Sequence, residues 1–198
     1  MEIAGTLTQN NVFTDIAKMF ENIEKVEIPV GSLVAWEGRK VRLAVPGDIA
    51  VSAHSRTYAM LLGDSTFTWS GRYLVDDFGE KIMGQIWDEE AGGWDPKANN
   101  GEGGYVGAYV IGQLENPDYD PTLEQIPRSE RRNEWTPVAL TGEVHVRVDE
   151  HVGVDDYIAP VSPGLGGVSE TPTRMRCMEI RKPYDASKGY AIALCLRD

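Results

Sequence analysis

The chain has 198 residues, 41% hydrophobic and 25% charged, with a formal net charge of -12 and a pI near 4.7. Such an acidic balance opposes the phosphate contacts by clustered Lys and Arg that nucleic-acid proteins use, so no nucleic-acid partner is expected. No apolar run approaches the roughly 20 residues of a membrane span, and MEIAGTLTQNN has no basic stretch followed by an apolar core; no membrane partner or secretory leader is expected, and synthesis in a cytoplasm follows.

Residues 1–12 read as an N-terminal arm and 13–198 as a single β-rich domain. FTDIAKMFENI places Phe13, Ile16, Ala17, Phe20 and Ile23 at helical spacing, with Thr14 as an N-cap, and predicts one short helix. Four strand-like pieces follow, KVEI, LVAW, KVRLA and DIAVSA, separated by turn residues at Pro29, Gly31, Glu37-Gly38 and Pro46-Gly47-Asp48, the pattern of a β-meander. STFTWSGRYLVDDFGEKIMGQIW reads as two strands around a turn at residues 76–79. DEEAGGWDPKANNGEGG then reads as a polar, glycine-rich loop and YVGAYVIGQL as a strand. Alternation resumes in TPVALTGEVHVRVD, and MRCMEIRKP with GYAIALCLRD forms a closing antiparallel pair around the turn at 184–189. The expected fold is mostly β, an antiparallel meander or barrel-like domain with one short N-terminal helix.

The stretch 115–135 fits neither period. Pro117, Pro121 and Pro127 stiffen it, and Asp118, Asp120, Glu124 and Glu130 stand against Arg128, Arg131 and Arg132, with Trp135 at its end. Prolines favour extended backbone and lower the entropy of the unfolded segment, so a long ordered arm is expected. It packs across its own domain, against a neighbouring subunit, or both. Arg128, Arg131, Arg132 and Trp135 are the interface candidates, because Arg and Trp are enriched at binding hot spots.

Chemical motifs are sparse. Cys177 and Cys195 lie in strand-like segments and read as buried reduced thiols. GDST at 63–66 resembles the nucleophile block of lipolytic hydrolases, but His54, His145 and His151 do not stand at the spacing its base needs, and a β-turn is the simpler reading. Asp95, Asn99 and Asn100 in DPKANNG fall short of a calcium loop, since Lys97 stands where an oxygen ligand belongs. Neither GEGGYVG nor SPGLGGVSE opens a helix as a phosphate loop would. No metal and no cofactor are expected. Trp36, Trp69, Trp87 and Trp94 are candidates for stacking on a sugar.

Three segments in order, TDIAKMFEN, GRYLVDDFGEKI and NPDYDPTLEQIPRSERRNEWTPVALTGEVHVRVD, together resemble the autoproteolytic cleavage domain of the intramolecular-chaperone type, found at the C-terminal ends of bacteriophage tail-spike and neck-appendage proteins. The third segment is the specific one, through Pro117, Tyr119, Pro121, Ile126, Pro127, Arg128, Ser129, Glu130, Arg131 and Trp135. The resemblance implies a domain that helps a trimeric fibre assemble and then cuts the chain before an aspartate opening the motif Asp-aromatic-Ala-Glu-aromatic-Phe-Glu. Paired carboxylates one helical turn apart divide acid and base roles in such chemistry.

Asp15, Ala17, Phe20 and Glu21 match that motif, and Asp15 and Glu21 are the catalytic candidates. Lys18 takes the place of the first glutamate and is expected to pair with Asp15 or Glu21 instead. A cut before Asp15 would release only fourteen residues from a chain that starts on Met. The resemblance therefore implies a virion structural protein of a tailed phage, a homotrimer on capsid or tail contacting other virion proteins, in which the fold is kept and proteolysis largely lost.

Overall fold

The computed structural model describes residues 14–49, 51–64, 72–119 and 126–198. The expected N-terminal arm lies outside them, as do Trp69 and the middle of the 115–135 stretch. The chain divides into two units, one formed by residues 1–65 with 126–198 and the other by 66–125, so the span 13–198 is shared between both. The described strands are, in chain order, β1 (Asp15–Asn22), β2 (Leu33–Glu37), β3 (Lys40–Leu43), β4 (Val51–Ala53), β5 (Met60–Leu62), β6 (Met83–Asp95), β7 (Gly104–Gln113), β8 (Trp135–Val148), β9 (Ile158–Ser162), β10 (Leu165–Val168), β11 (Met175–Asp185) and β12 (Tyr190–Arg197).

The first unit is one sheet of ten strands in the order β11-β12-β8-β1-β3-β2-β4, with β5 also on β1 and the β9-β10 hairpin on β8. The mostly-β reading holds, but the sheet does not close into a barrel. Nor is it purely antiparallel: β1 runs antiparallel to β8 but parallel to β3 and β5. The closing pair of β11 and β12 is antiparallel as expected, with Cys177 opposite Cys195, both buried and free.

The expected helix over 13–23 is strand β1. Its buried residues are Asp15, Ala17, Met19 and Asn22, nearly every second position, and two of them are polar. A hydrophobicity pattern scores those two as surface and leaves a false helical spacing. The sheet overrides it, because β8 on one side and β3 with β5 on the other take up the backbone hydrogen bonds of β1. KVEI is not a strand either: Lys25 has φ 55°, and the Asn22 side chain bonds the Glu24 N–H and the Val26 carbonyl, closing a turn.

Alternation in β8 decides where the core sits. Val144, Val146 and Val148 point inward onto Leu33, Ala53, Ile158, Met175, Ala193 and both cysteines. Val138, earlier in β8, serves a second cluster with Ile28, Val34 and Val41, against which Phe20 and Trp36 pack edge to face at 5.7 Å.

In the second unit β6 and β7 pair as a two-stranded antiparallel hairpin. DEEAGGWD, expected as loop, belongs to β6, where a register shift between Asp88 and Gly93 absorbs the extra residues as a bulge. A single helical turn, α1 (Ala98–Gly101), joins the strands. The turn at 76–79 is present, with Asp76 Oδ1 accepting from the N–H groups of Phe78 and Glu80.

Candidate functional site

Strand β1 begins at Asp15, which is only 3% exposed. Its Oδ1 accepts from Ser55 Oγ at 2.9 Å and lies 3.2 Å from Thr14 Oγ1, which also contacts the Thr57 carbonyl. Its Oδ2 has no hydrogen-bond partner among the described residues. Burial pushes the Asp15 carboxyl above the usual carboxylate range, and the Ser55 and Thr14 hydroxyls, with the field of His145, draw it partly back.

The peptide link on the N-terminal side of Asp15 is held as firmly. The Thr14 carbonyl accepts the Glu143 N–H at 2.7 Å, and the Asp15 carbonyl accepts the Ala59 N–H at 2.7 Å. Gly142 faces Asp15 across the ladder with φ +107°, and a Cβ there would stand 2.5 Å from the Thr14 carbonyl oxygen. A buried carboxyl with a raised pKa next in the chain to a carbonyl that accepts an N–H offers a candidate proton-handling group and one oxyanion-type contact, two of the parts acyl transfer requires.

Glu21 does not join this cluster. Six residue steps of extended chain separate it from Asp15, about 20 Å. Its carboxylate is held by Lys25 at 2.6 Å and Lys40 at 3.0 Å, which keep it below its ordinary pKa and ionised. Even in the expected helix Glu21 would stand nearly two turns from Asp15, and as a strand the segment takes the two carboxylates further apart. Lys18 pairs with neither acid, contrary to expectation; it is exposed and its ammonium lies 5.5 Å from the centre of the Phe20 ring.

The expected arm is locally folded over 127–135. Residues Arg128–Glu130 form a 3-10 turn, and Glu130, Arg131, Glu134 and Trp135 each donate their N–H to a carbonyl three or four residues back. Three interface candidates spend contacts within the chain: Arg128 donates to the Gly63 carbonyl at 2.6 Å and stacks 4.1 Å over the Trp135 ring, and Arg131 pairs with Glu134. Arg132 is exposed. Asp64, from GDST, accepts the N–H and the hydroxyl of Ser129 at 2.7 and 2.8 Å, so it anchors this turn; Ser65 lies outside the described residues.

This turn adjoins a small cavity of about 40 Å³ lined by His54, Arg56, Tyr58, Ser129, Arg132, Trp135 and Pro137. The His54 Nδ1–H donates to the Ile28 carbonyl at 2.7 Å, and Nε2 is buried with no hydrogen-bond partner among the described residues. Burial pushes its pKa down to about 4, so the ring is neutral at physiological pH. Sequence reading missed Ser55, Gly142 and Glu143, all far from Asp15 along the chain, and weighed His54 only as a base for GDST. A glycine inside a strand was the available signal, since it marks close backbone approach.

The other candidates sit elsewhere. Trp36 is held between the edge of Phe20 and the Arg197 guanidinium, so it packs within the unit. Asp95 caps the Lys97 N–H, and the Asn99 amide bonds the Gly103 carbonyl.

Residues 1–197 match the family model described as Peptidase_G2, IMC autoproteolytic cleavage domain. The pre-neck appendage protein of Bacillus phage phi29 is 33% identical over 195 residues, covering 96% of this chain and 20% of that protein. The putative phage-related protein YobO of Bacillus subtilis is 35% identical over 176 residues, 88% of this chain and 20% of its own length. The chain thus spans about a fifth of the length of the curated relatives it matches. The crystal structure of the pre-mature bacteriophage phi29 gene product 12 superposes with a TM-score of 0.78 at 32% identity, over 100% of this chain and 23% of that one. The C-terminal fragment of the same gene product gives 0.71 at 33% identity, over 93% of this chain and 100% of the fragment. With nearly every residue matched by the model, the chain belongs to the family of IMC autoproteolytic cleavage domains.

Proposed function

We propose that this chain is the assembly domain of a bacteriophage virion appendage protein, a structural component synthesised in the host cytoplasm that acts as a homotrimer through contacts with other virion proteins. Identity of 33% across 96% of the chain to a pre-neck appendage protein supports the appendage role. The observation that carries the mechanistic part is the isolation of Asp15. Glu21 is bound by two lysines about 20 Å away, and Lys18 stands exposed where the family motif has a glutamate. Among the described residues no second carboxylate bonds Asp15 to take or return a proton, and we infer that cleavage before Asp15 is lost or strongly slowed.

Light scattering and intact-mass spectrometry of the purified chain test both halves. A particle of three 21.9 kDa chains is expected, each uncut at Thr14–Asp15. A single-chain mass at every micromolar concentration would refute the homotrimer. A second reading, a self-cleaving chaperone domain, is favoured by the buried Asp15 carboxyl and by the Glu143 N–H on the Thr14 carbonyl. Recovery of a chain beginning at Asp15 would establish that reading in place of the first.

A further inference from the structure

The β6-β7 hairpin presents an uncharged stripe along one face: Met83, Trp87, Trp94, Tyr105, Tyr109 and Ile111. Their exposures run from 53% to 79%, although side chains of this kind are ordinarily buried. The rings are ordered against each other, Trp87 edge to face with Tyr109 at 5.2 Å and Trp94 with Tyr105 at 5.9 Å. Gly107 lets Trp87 lie close against the neighbouring strand, since a Cβ there would come within 2.8 Å of the indole. The result is an exposed aromatic platform.

We propose that this stripe is a contact surface between copies of this chain; the proposal rests on the homotrimeric reading and assigns it an interface. Three properties favour a second copy as the occupant. A two-stranded hairpin alone is marginally stable in water and needs a further layer on its apolar face. An aromatic side chain buries roughly 150–250 Å². Four that are more than half exposed, with Met83 and Ile111, offer an area approaching the ~800 Å² per partner of a stable association, above the few hundred Å² usual for a monomer's largest patch. The stripe is also uncharged in a chain of net charge -12, so two copies can meet there with little like-charge conflict. From Tyr105 to Ile111 it extends for about 20 Å, longer than a single sugar ring and suited to a facing protein element.

The test is the association of the full chain with Trp87 and Tyr109 replaced together by Ser (W87S/Y109S), followed by light scattering across a concentration series. The expected result is association weakened about tenfold or more, the scale of losing hot-spot aromatics. Hydrogen exchange on the unaltered chain supplies a readout independent of any variant: amides of β6 and β7 become protected as concentration rises. If the variant associates as tightly as the original and the hairpin amides show no such protection, the stripe is not the interface, while the homotrimer stands. If the original never associates, both fall. Glycan binding that depends on Trp87 without any change in mass would overturn the proposal in favour of a sugar platform.

Discussion

Gly142 and Asp15 face each other across the β8-β1 ladder so closely that a Cβ on Gly142 would lie 2.8 Å from the Asp15 Cα. Backbone, not side-chain chemistry, therefore sets the approach of the two strands at the Thr14–Asp15 junction. Gly142→Ala adds that clash to a φ of +107°, a region β-carbon-bearing residues rarely occupy. A loss of about 2–4 kcal/mol is expected in chemical denaturation, with local exchange fastest at the start of β1. An unchanged denaturation midpoint would show that the strands move apart at no cost.

His54 makes stability sensitive to acid. Its folded pKa of about 4 lies below the unfolded value of 6.5, so between these two the unfolded state binds more protons. Its contribution is fully present above pH 6.5 and is lost as pH falls toward 4, amounting to about 3 kcal/mol. Asp15 works in the opposite sense: its raised pKa means the folded state holds the extra proton, so its share of stability falls as pH rises through the folded pKa. Denaturation of His54→Asn across pH 4 to 7 is expected to show a shallower acid slope, because an amide keeps the bond to the Ile28 carbonyl without titrating. A slope equal to that of the original chain would assign the acid sensitivity elsewhere.

Arg128 ties Gly63 to the ring of Trp135 with one guanidinium. Arg128→Ala is expected to cost about 1–2 kcal/mol and to speed amide exchange in β5 and the 3-10 turn, and Arg128→Lys recovers little of it, since an ammonium cannot both stack flat and reach the carbonyl. Full recovery by Lys would reduce the role of Arg128 to simple charge.

Cys177 and Cys195 are buried opposite each other, and burial pushes both thiols upward, so neither supplies thiolate. Native protein is expected to resist alkylation at neutral pH and to react at both positions once unfolded, read by mass spectrometry. Rapid labelling of the folded chain would place a thiol at the surface.

What the sequence determined by itself was local. Runs such as LVAW, KVRL and VHVRV are short, apolar or alternating, and are bounded within a few residues by turn signals, so β2, β3, β8 and the β11-β12 pair were legible, as was the family, through one long specific segment. Tertiary structure decided the rest. Asp15 and Asn22 are buried because Ser55, Thr14, Glu24 and Val26 give their side chains partners, and that burial turns an apparent helix into a central strand with parallel neighbours. Residues 88–95 read as loop because their glycines and acids lack strand propensity, yet Asp88 and residues 93–95 pair with β7 and the residues between them form a bulge. In both places the strand is completed by neighbours that a hydrophobic period read along the chain does not register: β8, β3 and β5 for β1, and β7 for β6.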